Sequence, residues 1–256
     1  MKAAEYDVMA AAEDGLWWYR GLRRLLVDSL HRACPAGPPG PVIDVGCGTG
    51  GTYLAVRRAF GNLVYVGLDV ESKALAYARG RGLGRLAYAS ADAVPLRPGA
   101  AGAIICLDVL CYASVDPARA LAGFLEALRP GGFLFLNLPA FESLRGEHDL
   151  AVGISHRFRA AEVWALCEGA GFEVRSIRYW NTVLSLPLLG WRRWSRTASP
   201  DRARSDTARS PRWLNGLCGC LVMGEIALAR WIRWPFGSSV LAVAQRPPRP
   251  SERRAS

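Results

Sequence analysis

The chain has 256 residues, of which 51% are hydrophobic and 21% charged, so it can bury a sizeable core and wholesale disorder is excluded. No charge-free apolar run reaches the roughly 18 residues of a membrane span, and acids interrupt the N-terminal stretch where a signal peptide needs apolar residues. The net charge is +10, mostly from arginines after residue 180, which leaves nucleic acid, an anionic membrane surface or an acidic substrate open as partners. Because the sequence shows neither a membrane span nor a signal-peptide pattern, we expect a cytoplasmic protein.

The seven cysteines have neither disulfide-framework nor metal-site spacing. Cys218 and Cys220 form a close pair, but no further Cys or His stands at metal-ligand spacing from them. We predict reduced thiols and no metal.

Strands and helices alternate along most of the chain. An amphipathic helical lead-in over residues 5–33 comes first, and a Pro/Gly segment ends it. Apolar strands are predicted over residues 42–45, 63–68, 85–90, 103–107, 133–138, 172–180 and 239–244, with helices at 52–60, 72–80, 117–128 and 159–169 between them. An apolar helix from about 214 to 234 precedes the last strand. Near-continuous apolar strands between helices are typical of a doubly wound, mostly parallel sheet with helices on both faces.

A glycine-rich turn after the first strand carries the main functional signal. Gly46, Gly48 and Gly51 satisfy the pattern G-x-G-x-x-G, and Asp69 ends the second strand, where a carboxylate can accept both hydroxyls of a ribose. The glycines alone do not separate NAD from other adenosyl cofactors. Asp44 favours the latter, because a carboxylate beside the turn would repel a pyrophosphate and attract an ammonium and a sulfonium.

An ordered set of motifs extends this pattern over residues 40–140. It reads VIDVGCGTG from residue 42, YVGLD from 65, ADA from 91, LDVLCY from 107 and LRPGG from 128. In this order the motifs resemble those of class I S-adenosylmethionine-dependent methyltransferases, in the broad type 11/12 methyltransferase-domain families. The resemblance implies a Rossmann-like α/β fold with seven strands, and S-adenosyl-L-methionine as the cofactor.

The resemblance also implies which residues bind the cofactor. Asp44 and the glycine turn would hold the methionine end, Asp69 the ribose and Asp92 the adenine amino group. Asp108 is either a helix cap or a site residue. The implied cofactor-binding set is Asp44, Gly46, Cys47, Gly48, Gly50, Asp69, Val70, Asp92, Ala93 and Leu107.

The candidate catalytic residues are His148, His156 and Tyr112. A hydroxyl acceptor usually needs a base, whereas a carboxylate or a free amine needs less help, and histidine takes a proton near neutral pH. Both histidines lie in the polar stretch after the fifth strand, and Tyr112 follows the fourth. For each histidine, hydrogen bonding to the loop backbone is the alternative. Asp149 could orient a histidine, and Arg157 could hold an acidic acceptor.

Two helical segments flank the core, which spans residues 41–180 and a last strand at 238–246. Residues 1–40 form a lead-in whose Trp17, Trp18 and Tyr19 either pack on the sheet or form a lid over cofactor and acceptor. Residues 181–237 form an Arg/Trp-rich insertion that covers the acceptor site, with peripheral membrane contact through 181–236 as the alternative. Residues 247–256 are expected to be a disordered tail.

The sequence thus predicts a methyltransferase with a small-molecule acceptor, and it favours O-methylation in sugar, lipid or secondary metabolism. An NAD-dependent oxidoreductase and a catalytically inactive methyltransferase-like binding or membrane-associated protein are the alternatives. A nucleic-acid substrate is disfavoured, because the chain reads LDVL after the fourth strand where base-modifying enzymes often place an Asn/Asp-Pro-Pro-Tyr/Phe tetrapeptide.

Overall fold

One sheet of seven strands organises the chain. The computed structural model describes residues 3–185, 211–229 and 231–248, with the side chains of 3–5, 147 and 148 left aside. The strands are Val42–Val45 (β1), Tyr65–Asp69 (β2), Leu86–Tyr88 (β3), Ala101–Leu107 (β4), Leu128–Pro139 (β5), Glu173–Trp180 (β6) and Ser239–Gln245 (β7).

The strand order is β3-β2-β1-β4-β5-β7-β6. β7 pairs antiparallel with β5 and β6, and the pairings among β1 to β5 are parallel. This confirms the predicted α/β fold with a mostly parallel, seven-stranded sheet. Since β1 and β4 are neighbours at the centre, the carboxyl ends of β1, β2 and β4 meet along one edge, where ligands bind in doubly wound folds.

Eight α-helices have both ends in the described residues and cover both faces of the sheet, and residues 182–185 are helical as well. They are Ala3–Ala12 (α1), Trp17–Ala33 (α2), Gly51–Phe60 (α3), Ser72–Gly80 (α4), Pro117–Ala127 (α5), Glu147–Val152 (α6), Ala160–Gly169 (α7) and Arg212–Leu228 (α8). On one face, Leu121 and Phe124 of α5 and Val163 of α7 pack against the strands. On the other, Leu30 of α2 and Val56 of α3 do so. Burial of these apolar side chains on both faces explains the apolar strands.

Three elements differ from the sequence prediction. The lead-in is two helices, because the chain breaks after Ala12 and α2 starts only at Trp17. The polar stretch after β5 contains the short helix α6. β5 begins at Leu128, ahead of the Pro-Gly-Gly segment, because Leu128 pairs with Ala101 across an irregularity in the register.

Helix α8 packs against α2. Val222 of α8 lies in a cluster with Leu22 and Leu25 of α2 and Trp180 of β6. Gly21 makes the approach possible, since a Cβ on it would lie 2.6 Å from Val222 Cγ1.

In the described ranges no helix is both long and apolar enough to cross a membrane, and no group of His, Cys, Asp and Glu is arranged to hold a metal ion.

The thiols divide sharply by exposure. Cys34, Cys47, Cys106, Cys111 and Cys167 are buried, Cys218 is partly buried, and Cys220 is exposed on α8. None of the seven forms a disulfide.

Candidate functional site

A cavity of about 730 Å³ opens at the carboxyl ends of β1, β2 and β4. The turn after β1 forms its floor, and α1 with the start of α2 lies over it. Its wall includes most of the predicted site residues, namely Gly46, Cys47, Gly48, Asp69, Val70, Leu107 and Tyr112. A volume of this size falls in the range of small-ligand sites.

The glycine turn approaches the cavity with bare backbone. Gly46 and Gly48 have φ angles of 75° and 53°, in the left-handed region that favours glycine. A Cβ on Gly46 would lie 2.2 Å from Val109 Cγ2, so that position admits no larger residue without displacing Val109. The backbone N–H groups of Gly46 and Cys47 both donate to the carbonyl of Leu68, which ties the turn to β2.

Asp69 stands at the end of β2 with its carboxylate oriented by backbone donors. Gly48 N–H donates to Oδ2 at 2.9 Å, and Glu71 N–H donates to Oδ1 at 3.0 Å. Burial raises the pKa of Asp69 above its usual value. The Tyr6 hydroxyl also bonds to this carboxylate, so a ligand hydroxyl would share or replace that contact. This geometry fits the pair of ribose hydroxyls that the sequence assigns to it.

Asp44 does not face the cavity, which differs from the prediction that it contacts the methionine end. Its carboxylate is 2% exposed and accepts a 2.7 Å hydrogen bond from the Tyr65 hydroxyl inside the sheet layer. Burial raises the pKa of Asp44 to about 7. The reason is strand alternation: Asp44 is two residues before the turn, and its side chain points into the packed layer.

Gly50, Asp92 and Ala93 also lie outside the cavity wall, although the sequence places them in the binding set. Gly50 is the N-cap of α3, and a Cβ on it would lie 3.0 Å from Ala78 Cα. The Asp92 carboxylate accepts from the Ser90 hydroxyl. The neighbouring part of the wall is formed by residues 88–91, directly before Asp92.

Of the two predicted histidines, only His156 has a described side chain, and it lies outside the cavity wall. His156 is exposed, its Nε2 lies 2.6 Å from Glu162 Oε1, and it is absent from the cavity wall, which differs from its predicted role as a base. The side chain of His148 lies outside the described residues. Tyr112 does line the cavity, and burial raises its pKa far above the usual range. Its hydroxyl therefore stays protonated and can donate.

Glu13, which the sequence did not single out as a site residue, joins the N-terminal helices to the glycine turn. It is 2% exposed, its Oε1 lies 2.8 Å from Arg81 Nη2, and it accepts from the Thr49 hydroxyl. Arg23 lies against it from α2. No sequence signal separates Glu13 from the neighbouring acid Asp14, since both stand in the same helix break.

The three adjacent aromatic residues of the lead-in, Trp17, Trp18 and Tyr19, all line the cavity. Trp18 also contacts Trp180 of β6, with ring centroids 5.8 Å apart. None of the described residues of α8 lines the cavity, although Asn181 at the start of the predicted insertion does. That the insertion covers the acceptor site stays a prediction. Residues 186–210 of that insertion, with Trp191 and Trp194, lie outside the described residues. Trp213 and Trp231 are exposed.

Asp108 directly follows β4, and it lines the cavity together with its chain neighbours Leu107 and Val109. Its φ of 56° is a left-handed backbone conformation that is uncommon for any residue except glycine. The Asn137 side chain of β5 donates to both carboxylate oxygens, at 3.0 and 3.1 Å. Burial raises the pKa of Asp108 to about 7. The structure thus favours the site interpretation over the helix cap.

The charges of the cavity wall suit a cationic cofactor. Its acids are Glu13, Asp69, Asp108 and Asp149, and its bases are Arg23 and Arg157. An excess of carboxylates attracts an ammonium and a sulfonium and repels a pyrophosphate. The residues present therefore fit S-adenosylmethionine, with Asp69 and the turn of Gly46 to Gly48 as its holders, although Asp44 is not among them.

Comparison with protein families gives a match over residues 43–136 to a family model described as a methyltransferase domain. Two curated relatives are named trans-aconitate 2-methyltransferase. The protein from Methylobacterium radiotolerans is 34% identical over 105 residues, which is 41% of this chain and 40% of that protein. The protein from Deinococcus radiodurans is 31% identical over 143 residues, 56% of this chain and 51% of that protein. The matches thus span about half or less of each relative.

Solved structures share the fold over nearly the whole chain. A geranyl diphosphate methyltransferase in complex with GPP and sinefungin superposes with a TM-score of 0.60 at 18% identity, covering 89% of this chain and 77% of the other. A putative methyltransferase of Haloferax volcanii, in complex with the activator Trm112, gives 0.57 at 20% identity, covering 95% of this chain and 96% of the other.

Proposed function

Residues 43–136 form a methyltransferase domain within a class I methyltransferase fold, and from this premise we propose that the chain transfers the methyl group of S-adenosylmethionine to a small-molecule acceptor. The observation that carries the proposal is Asp69, whose two oxygens are fixed by Gly48 and Glu71 at the wall of one cavity large enough for a ligand pair.

The chain's own residues contribute binding, alignment and exclusion of water. S-adenosylmethionine, when bound, supplies an electrophilic methyl group on a sulfonium. Asp69 and the glycine turn hold the adenosyl side, and Trp17, Trp18 and Tyr19 cover the chamber with aromatic surface. The sulfonium charge disperses as the nucleophile attacks, so a water-poor, well-aligned site accelerates the transfer.

We propose O-methylation as the reaction. The curated relatives support it, because the name trans-aconitate 2-methyltransferase describes methylation of a carboxylic acid. Methylation of trans-aconitate itself is a second candidate for this chain, favoured by the 34% identity but limited by coverage of only 40% of that relative. A carboxylate acceptor needs no base, whereas a hydroxyl acceptor does.

Binding of S-adenosylhomocysteine tests the cofactor. Titration calorimetry should show binding of S-adenosylhomocysteine and none of NAD. Asp69→Ala should weaken binding about 10- to 100-fold, because each hydrogen bond to a charged group is worth about 1.5–3 kcal/mol.

Asp116→Asn is the matched control for Asp69→Ala. Asp116 caps α5 through the N–H groups of Ala118 and Arg119, away from the cavity, and asparagine caps a helix equally well. Its affinity should equal that of the wild type. Binding of NAD in place of S-adenosylhomocysteine would overturn the proposal.

A further inference from the structure

Arg157 lines the cavity, but its guanidinium group already forms an ion pair with Asp149. Its Nη2 lies 2.8 Å from Asp149 Oδ1, its Nε lies 3.2 Å from Oδ2, and its Nη1 donates to the Ala140 carbonyl at 2.9 Å. Asp149 is fully buried. Breaking such a buried, two-pronged ion pair to bind another anion would leave Asp149 uncompensated.

Arg23 is the other cation of the described cavity wall, and it is paired as well. Its Nη1 lies 4.0 Å from Glu13 Oε2 and 3.7 Å from Asp14 Oδ1, and its Nη2 donates to the Glu13 carbonyl. Among the described residues, the wall therefore offers a polycarboxylate no uncommitted cation. It offers two carboxylates, Asp69 and Asp108, that would repel one.

Most of the rest of the wall is aromatic and aliphatic, and its neutral polar side chains include Ser114, Asn181, Ser238 and Ser239. The N-terminal helices contribute Leu16, Trp18, Tyr19 and Leu22, and Tyr112 and Ile154 line the chamber as well. Such a wall solvates an apolar or aromatic molecule well and an anion badly.

Asp108 places a carboxylate in this apolar part of the wall, and hydrogen bonds from the neighbouring strand fix its position. Asn137 Nδ2 binds both of its oxygens, Asn137 Oδ1 accepts from the Trp180 indole at 2.8 Å, and the Asn137 carbonyl accepts from the Asp108 N–H at 2.8 Å. The left-handed backbone at φ 56° persists because these contacts determine it. Backbone strain held in this way clusters at ligand sites.

We propose that the acceptor is an uncharged, largely apolar hydroxyl compound and that Asp108 accepts its proton. This inference rests on the proposed function and names its substrate class. The acceptor oxygen forms a bond to the methyl carbon while the carbon–sulfur bond breaks, and that electron pair stays on sulfur to give a neutral thioether. The hydroxyl proton passes to the Asp108 carboxylate and then to solvent.

The surroundings of Asp108 set the expected pH dependence. Arg157, Cys106, Cys111 and Tyr112 are charged or titratable groups that act on it or respond to it, and among them only Arg157 lowers its pKa. Burial is the larger cause and raises the pKa to about 7. Since the ionised form is the base, kcat should rise with pH and level off above about pH 7.

The acceptor class is tested with S-adenosylmethionine carrying a deuterated methyl group, incubated with the protein and a metabolite extract. Mass spectrometry should find the label as a methyl ether on an uncharged molecule. A labelled methyl ester of a polycarboxylate, or a labelled amine, would overturn the inference while leaving the proposed function intact. Absence of any labelled product would overturn both.

A binding measurement separates the site from turnover. With S-adenosylhomocysteine bound, 1-naphthol should quench the tryptophan fluorescence of the protein, and citrate should neither quench it nor compete. Competition by citrate would contradict the inference. Failure of S-adenosylhomocysteine itself to bind would count against the proposed function instead.

Asp108→Asn tests the proton acceptor with the labelled acceptor found above. We expect kcat to fall about 100-fold or more and its rise around pH 7 to disappear, because positioned bases contribute about 10²–10⁴-fold. The affinity for S-adenosylhomocysteine should stay unchanged, as should the activity of the matched variant Asp116→Asn. An unaltered pH profile in Asp108→Asn would show that Asp108 is not the base.

Discussion

Three aspartates at strand ends show how one residue type takes different roles by environment. Asp69 is held by two backbone N–H groups and faces the cavity. Asp108 is held by Asn137 and faces it too, whereas Asp44 is bound by Tyr65 and turned into the core. Burial raises the pKa of all three, so their pKa shifts do not distinguish the two aspartates that line the cavity from the one that does not.

Asp44 should make stability depend on pH. Its pKa is raised to about 7 in the folded chain, whereas an unfolded aspartate titrates near 4. The folded state therefore holds the extra proton between these values, so this contribution is complete below pH 4 and is lost as the pH rises to 7. Asp44→Asn should remove this contribution, whereas that of Asp108, whose pKa is also raised to about 7, stays in both proteins. Relative to Asp44→Asn, the wild type should lose about 1.4 kcal/mol of unfolding free energy per unit of pKa difference.

Urea unfolding at pH 5 and at pH 8 measures this effect. The variant Asp28→Asn on α2 serves as the control and should match the wild type at both pH values, because the ion pair of Asp28 with Arg24 lies at the surface. Parallel behaviour of the wild type and Asp44→Asn would mean that Asp44 is ionised in the folded chain.

At the scale of elements, the sequence predicted the sheet well and the covering helices less well. Strands such as β4 are continuous apolar runs buried on both faces, and the glycine turn requires positive φ, so both leave a local signal. The break before α2 leaves only a weak sequence signal, because Gly15 stands in an otherwise helical pattern. The left-handed backbone of Asp108 leaves no signal in the sequence, because an aspartate in that conformation cannot be distinguished from any other aspartate.

The segment of residues 6–19, which lies over the cavity, is held by ion pairs from α4 and the residues after it, and Asp7 near its start lies 2.6 Å from Lys73. Arg81 after α4 contacts Glu13 at 2.8 Å and Asp14 at 2.9 Å. Arg81→Ala would leave the buried Glu13 with less compensation and loosen the cover. We expect S-adenosylhomocysteine to dissociate about 3- to 10-fold faster, as stopped-flow tryptophan fluorescence can measure.

Arg24→Ala provides the comparison for Arg81→Ala, because it removes an arginine that pairs with Asp28 on the outer side of α2. Its dissociation rate should match that of the wild type. If Arg81→Ala behaved in the same way, the segment of residues 6–19 would not control ligand exchange.

At the scale of the whole molecule, the late helix α8 supports the first helices of the chain. Asn215 of α8 accepts from the Trp17 N–H and donates to the Gly15 carbonyl, each at 2.9 Å. Glu225 of α8 is 3% exposed and accepts from the backbone N–H groups of Thr182 and Val183 after β6. Thus α8 connects the end of β6 to the cover of the cavity, although none of its described residues touches the cavity.

Glu225 should therefore matter for stability at a distance from the site. Glu225→Ala leaves two buried N–H groups without their acceptor and should lower the unfolding free energy by about 2–4 kcal/mol, measured by urea titration. Glu225→Gln keeps an acceptor oxygen and should recover most of the loss. Equal losses in the two variants would mean that packing of the side chain, not its hydrogen bonds, is what α8 supplies.

The uneven burial of the thiols makes Cys220 a site where a dye can be attached selectively. Because Cys220 is exposed while five other sulfurs are enclosed, a maleimide dye should react first on α8. That helix lies directly behind α2, so a reporter there would follow the cavity cover from its outer side without any engineered cysteine.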